Sequence, residues 1–326
     1  MLDTDNSLRN AFFKNLKASK DHCWAPGGNC NSVPIRAHSI QDKRVLDVLC
    51  LNDHVIMPQL RFDGKDGAPI VEFKKVGRKD ATIFKGLCAT HDNEIFSPIE
   101  DFEVELDNPQ QLFLFGYRAT VKRFHEMVSE ATRLQKMYES LVEFGRASHQ
   151  PGDSAMDLVM QSLMRTWILH QYKAVYDEAY LAKRYDILSH EKFSFRHHKP
   201  TVAVSSLYWL EILIPERNQI PWIALNVIPS KNETHVVFSY LTEDAKFLSP
   251  ETQAILNSSL KRRLWLLSEK IVGFTDNFVL SPAFWNSLSH KRRDTFFEYY
   301  RATLTNKKSF EGDLRDICLF EPLNEI

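Results

Sequence analysis

A chain of 326 residues, 44% hydrophobic and 25% charged, is long enough to bury more than one core and has the composition of ordinary globular proteins. Its formal net charge of -1 excludes a protein that coats nucleic acid by charge alone, though a local basic groove stays compatible with it. No run approaches a membrane span, the opening MLDTDNSLRNAFFKNLKASK lacks the apolar core of a signal peptide, and 5 cysteines are too few and too uneven for a disulfide framework. The expected location is the cytoplasm, where clustered Cys and His point to metal and no membrane partner is needed.

In chain order, Leu8, Phe12, Phe13 and Leu16 recur at near-helical spacing and predict an amphipathic helix over residues 5–20. CWAPGGNC follows, Cys23 to Cys30, where Pro26, Gly27 and Gly28 let the chain turn so that both sulfurs face one ion. IRAHSI, Ile35 to Ile40, reads as extended. QDKRVLDVLCLNDHVIMPQL starts with helical spacing through Val45, Leu49 and Cys50, then breaks at Asn52 and Asp53 ahead of Pro58, and RFDGKDGAP is a loop without EF-hand spacing. APIVEFKKV, a turn at Gly77 and DATIFKG predict a β-hairpin running directly into Cys88. Ala89 to Ile99 predicts a short helix ending near Pro98. Cys23 and Cys30 form one close pair, Cys88 and His91, spaced C-x2-H, another. Four such ligands suit a tetrahedral zinc ion, and a site closed by four protein ligands is structural by default. Cys50 and Cys318 stand alone and read as small buried hydrophobes.

From Asn108 the pattern turns helical. Leu114, Tyr117, Val121, Phe124, Val128, Leu134, Met137 and Leu141 line one face of a long helix that Gly145 and HQPGD stop. A second helix starts near Asp153 and runs toward Tyr185, so the two form an αα-hairpin whose Met and aromatic stripe is core or subunit interface, with a homo-oligomer expected. After about His190 the period becomes extended in KPTVAVSSLYWLEILI, PWIALNVIPS and THVVFSYL, which predict an antiparallel sheet. Two helices follow, one from Pro250 past Leu267 with Ser249 as N-cap, one opened by Ser281 and Pro282. The fold class is α+β, arranged as a treble-clef-like (ββα) zinc domain over 1–102, a helical domain over 103–190 and an α+β regulatory or assembly domain over 191–326.

If IRAHSI is extended, Arg36, His38 and Ile40 share one face, which aims an imidazole and a guanidinium the same way. The imidazole can move a proton near neutral pH and the guanidinium can clamp a phosphate. RNA cleavage needs little more, because the 2′-hydroxyl is an internal nucleophile. His54, beside Asp53, is a second candidate acid or base, against the plainer reading of an exposed loop histidine. For His38 the plainer reading is a neighbour of the zinc or a ligand replacing one cysteine. Lys74, Lys75, Arg78, Lys79 and Lys85 cluster on the expected hairpin and read either as a nucleic-acid-binding edge or as a solvated tip. His197 and His198 read as a solvated strand start.

Knuckle, hairpin and a helix whose first turn carries the second ligand pair resemble a treble-clef zinc finger and the HNH or ββα-metal nucleases. IRAHSI is similar to the opening strand of the HNH motif and LCATHDN to its closing Cys-x2-His helix, over roughly the first hundred residues. The resemblance implies a nuclease. Ala37 stands where the HNH pattern has an acidic or His ligand of the catalytic metal, which weighs against metal-dependent DNA cleavage and toward RNA. A zinc-finger head on a long unrelated body also resembles prophage-encoded zinc-finger ribonucleases of antiphage defence, implying a regulated toxin with RNA as substrate and an activating phage protein. The alternatives are an HNH-type DNA endonuclease with a second divalent metal and a non-catalytic zinc scaffold that binds nucleic acid or protein.

Overall fold

The computed structural model of the protein describes residues 22–28, 30–62, 69–150, 152–210, 220–303 and 309–325, so the helix expected over 5–20 lies outside it. The fold is α+β. Two compact units form, each from separated segments: a metal unit of Met1–Ala37, Phe84–Glu94 and Thr120–Arg184, and a sheet unit of His38–Ile83, Ile95–Ala119 and Tyr185–Ile326. This interleaved division differs from the consecutive 1–102, 103–190 and 191–326 division expected from sequence.

The described strands are β1 (Ala37–His38), β2 (His54–Phe62), β3 (Pro69–Gly77), β4 (Ile83–Phe84), β5 (Leu188–His197), β6 (Val202–Trp209), β7 (Trp222–Pro229), β8 (Glu233–Leu241), β9 (Phe278–Leu280) and β10 (Pro322–Glu325). Eight of them make one sheet in the order β10-β5-β8-β7-β6-β9-β2-β3, and β1 pairs with β4. The described pairings in the large sheet are antiparallel, and the three extended segments read after His190 supply β6, β7 and β8. β7 is buried along its whole length and β6 along nearly all of it, which explains their near-continuous apolar sequences.

One sheet face, with Phe195, Val204, Tyr208, Ile223, Leu225, Val236 and Phe238, packs on Leu264, Leu267, Ile271 and Phe296. The other face, through Ala203, Ile228 and Val279, is covered by Ile40, Val45, Leu46 and Leu49. Each such side chain, fully buried, is worth about 1.5–3 kcal/mol. Val45 and Leu46 come from a π-helical turn, Asp42–Leu46, and Leu49 from the α-turn Asp47–Leu49 that follows.

The hairpin expected to join APIVEFKKV to DATIFKG does not form. β3 pairs instead with β2, in register from His54↔Gly77 to Phe62↔Pro69. Asn52 and Asp53, both left-handed (φ 51 and 56), turn the chain into β2, while a 3-10 turn at Arg78–Asp80 and a left-handed Thr82 (φ 56) carry it away after β3. The break expected at Asn52 and Asp53 is the turn into β2, and Pro58, which follows it, sits inside that strand. β2 meets β9 only at Ile56↔Leu280, so the missing N–H costs that ladder little.

The described helices of eight or more residues are α1 (Ala89–Glu100), α2 (Pro109–Glu143), α3 (Ser154–Leu181), α4 (Ala245–Leu256), α5 (Leu260–Phe274) and α7 (His290–Thr303), with the shorter α6 (Pro282–Ser287) between the last two. α1 covers the helix expected over Ala89 to Ile99 and ends one residue beyond it, with Pro98 in its last turn. The helix expected from Pro250 past Leu267 is two, α4 and α5. Pro250 lies inside α4, and Ser249, expected as its cap, donates instead to Glu191 (3.0 Å). α6 does open on Ser281 and Pro282.

In the metal unit, the C-terminal part of α2 and all of α3 form the expected αα-hairpin. Gly145 and Gly152 are left-handed in its connection (φ 65 and 88), and Asp153 caps α3 by accepting from the N–H groups of Ala155 and Met156. The helices share a core of Val121, Phe124, Met127, Leu169, Tyr172 and Tyr176, and Thr166 Oγ1 reaches the Met127 carbonyl at 3.3 Å.

Burial in the sheet unit favours the neutral form of three histidines, His190, His197 and His235. His190 bonds Ser239 Oγ at 2.8 Å, and burial, helped by Lys192, pushes its pKa down to about 4. His197 and His235 are lowered by burial in the same direction. In the unfolded chain a histidine titrates near 6.5, so the unfolded state takes up protons first as pH falls, and stability present above 6.5 is lost toward 4. Going from pH 7 to 5 should cost about 2 kcal/mol through His190 alone. Urea denaturation followed by Trp fluorescence checks this: His190→Gln should flatten the pH dependence by that amount, and an unchanged slope would contradict it.

Candidate metal centre

Cys23, Cys30, Cys88 and His91 come together in the metal unit, with their donor atoms all within 4.8 Å of one another. Cys30 and Cys88 sulfurs are 3.8 Å apart, and His91 Nδ1 lies 3.4 Å from Cys23 Sγ and 3.3 Å from Cys88 Sγ. A tetrahedral zinc with bonds of about 2.3 Å to sulfur and 2.0–2.1 Å to nitrogen has S···S edges of about 3.8 Å and S···N edges of about 3.5 Å. The four residues could therefore hold a metal ion, and three soft sulfurs with one imidazole suit zinc.

Local sequence explains the geometry. Between Cys23 and Cys30, Gly27 and Gly28 are left-handed (φ 86 and 70), the conformation that turns the chain back on itself. Three backbone donors then clasp this knuckle to the segment leading into α1: Trp24 N–H to the Gly86 carbonyl (2.8 Å), Ile35 N–H to the Leu87 carbonyl (2.9 Å) and Cys88 N–H to Cys23 Sγ (3.2 Å). Gly86 has no room for a side chain, since a Cβ there would stand 2.4 Å from the Phe84 ring. Asp92 N–H donates to the Cys88 carbonyl (2.9 Å), so Cys88 begins the first turn of α1 and His91, three residues on, falls on the same side. Trp24 packs edge-on against Phe124 (4.9 Å) behind the cluster.

Three thiolates and a dication leave one net negative charge. Lys173, buried at 4% exposure, lies close enough to Cys23 to interact with it, its ammonium held by both Asp177 oxygens at 2.7 Å. Burial lowers the Lys173 pKa, while Asp177 and Cys23 oppose that. Among the thiols, burial pushes Cys23 up to about 11, and the Ser32 backbone N–H draws Cys30 down to about 7. Cys30 thus offers a thiolate more readily than Cys23, and an ion bound there favours deprotonation of Cys23. The sequence reading missed Lys173 and Asp177; their i,i+4 spacing on α3 was the available signal.

The other expected site residues fall elsewhere. His38 opens the sheet unit with Nε2 3.1 Å from the Arg78 carbonyl and 4.0 Å from Asp42. Arg36 is exposed in the metal unit. His54 is exposed at the start of β2, its Nδ1 2.6 Å from the Asn52 carbonyl. The five basic residues do not share one hairpin edge: Lys85 belongs to the metal unit, and Lys74, Lys75, Arg78 and Lys79 to the sheet unit. Lys74 pairs with Glu72 at 3.1 Å, and Arg78 is taken up by Asp42 (3.1 Å) and Asp47. His197, expected to be solvated, is buried at the end of β5, with Phe195 edge-on at 6.2 Å. Cys50 and Cys318 are half-buried against the two sheet-unit cores.

Compared with protein-family models, curated proteins and solved structures, the chain matches none. Among the described residues, no helix is long and apolar enough to cross a membrane. What the centre does must be read from its own chemistry.

Proposed function

We propose that the protein is a zinc-finger ribonuclease. The observation that carries this reading is the Cys23, Cys30, Cys88 and His91 cluster with His91 in the first turn of α1. In sequence the knuckle is followed by β1, which pairs with β4, and β4 by α1. Knuckle, paired strands and helix is the order of a treble-clef or ββα-metal domain. His38, the last residue of β1, is the proton-transfer group in this reading. The test is cleavage of single-stranded RNA by purified, zinc-loaded protein with analysis of the product ends. Attack by the 2′-hydroxyl leaves 2′,3′-cyclic phosphates. Strict Mg²⁺ dependence with 5′-phosphate ends would favour an HNH endonuclease, and no cleavage of any nucleic acid, even with phage lysate added, would leave the zinc scaffold.

A nuclease that attacks cellular RNA needs restraint, and assembly is the means this reading assigns to α3. One side of that helix is buried through Leu169, Tyr172, Tyr176 and Ala179, while Met160, Leu163, Met164, Trp167 and Val175 are exposed along the other. Trp167 is 63% exposed and Met164 59%. A helix apolar on both sides is one that packs on both sides. The exposed stripe is on the order of 500 Å², close to the share a small dimer buries per partner, and it holds no charged residue between Met160 and Val175, which suits the same stripe of a second copy. Trp167→Asp should convert a dimer seen by light scattering at micromolar concentration to monomer without loss of helix content; a wild-type monomer would refute the assembly.

A further inference from the structure

We propose that the sheet unit holds a separate site for a small phosphorylated molecule, bound through a di- or triphosphate group. A cavity of about 890 Å³ opens where the β7–β8 turn, residues 230–233, meets β5 and the helical turn at Asp42–Leu49. That volume is within the range of small-molecule sites, roughly 300–1,000 Å³. Four cations line it: Lys43, Arg44, Arg196 and Lys231.

Acidic residues line it too, and each is already engaged. Asp47 pairs with Arg78, Glu103 with Arg44 at 3.6 Å, and Glu233 with His235 at 3.3 Å. Lys43, Arg196 and Lys231 have no ion pair or hydrogen bond through their side chains among the described residues. Arg44 donates to the Asp101 carbonyl through Nη2 (2.7 Å), while its buried Nη1 has no hydrogen bond. Three cations without partners among the described residues, with Asp47 already taken up by Arg78, make a field that a multiply charged anion satisfies best. No aromatic side chain lines the cavity, so no base-stacking platform exists and affinity resides in the phosphates. These three cations match the charge of a di- or triphosphate better than that of a single phosphate. The residues come from 43–44, 196 and 230–233, segments brought together only by the fold.

The site is independent of the metal centre and of the ribonuclease reading, so each can fail alone. The experiment is isothermal titration of the full-length, zinc-loaded protein with ATP and with inorganic tripolyphosphate, at low and moderate salt. It is repeated on the Arg196→Gln/Lys231→Gln double variant, whose exposed positions leave the fold intact by thermal melt. Wild type should bind at least one probe, more weakly as salt rises, and the double variant should bind at least about tenfold more weakly. ATP tighter than tripolyphosphate makes the occupant a nucleotide, and equal affinities mean the phosphate chain alone is read; both support the site. Two results overturn it: no binding of either probe, or unchanged binding by the double variant.

Discussion

Cys88→Ser should abolish zinc binding and unfold the knuckle and the start of α1 while the sheet unit stays folded. Cys88 contributes twice, as a ligand and through its N–H on Cys23 Sγ (3.2 Å), and it starts the helical turn that places His91. Structural zinc in small modules is worth about 10–16 kcal/mol at neutral pH, more than the whole stability of an ordinary domain. The metal unit has a helical core of its own in Val121, Phe124, Leu169 and Tyr176, so some α2–α3 structure should survive, but the knuckle and the start of α1 have little else to hold them. The sheet unit has two apolar cores and no part in the ligand set. Elemental analysis should give about one zinc per wild-type chain, and limited proteolysis of the variant should cut within 22–35 and 84–94 first. Full zinc retention by both Cys30→Ser and Cys88→Ser would refute the ligand assignment.

His38→Ala should lower RNA cleavage by about a hundredfold to ten-thousandfold with zinc content unchanged. The contact between Nε2 and the Arg78 carbonyl (3.1 Å) places the proton on Nε2, because a carbonyl can only accept. Nδ1 then keeps its lone pair and is the atom that can take a proton from a 2′-hydroxyl. Arg78, itself held by Asp42 and Asp47, thus fixes both the orientation and the tautomer of the ring. His54→Ala should change the rate far less, since its Nδ1 is engaged with its own turn at Asn52. Cleavage by His38→Ala at the wild-type rate would remove His38 from the mechanism without touching the zinc assignment.

The clustering of Cys23, Cys30, Cys88 and His91 was legible because Cys and His spacing reports chemistry directly, whatever the chain does between Cys30 and Cys88. The long helices were legible because a 3.6-residue period sustained over several turns has few other meanings. Strand partners were not. APIVEFKKV reads as a strand from its alternation, but alternation does not name a neighbour, and the real partner β2 was concealed by Pro58 within it. The break between α4 and α5 was hidden because Pro250 was read as a start when it lies inside α4. The cations of the proposed phosphate site lie too far apart in sequence for any local pattern to join them.

Interleaving has a consequence for the order of events on the ribosome. Of the four clustered residues His91 is the last to be synthesised, well before Tyr172, Lys173 and Tyr176, which belong to the same unit and include a cation that interacts with Cys23. The nascent chain can therefore hold an ion with four ligands already translated, yet the setting of that ion is incomplete until α3 has emerged. The sheet unit waits longer still, since its first strand of the large sheet, β2, has no neighbour across β9 until residue 280 is made. For the same reason no single cut of the chain yields either unit whole: five crossings, after residues 37, 83, 94, 119 and 184, tie the two together in sequence. A unit built this way cannot be exchanged as a cassette.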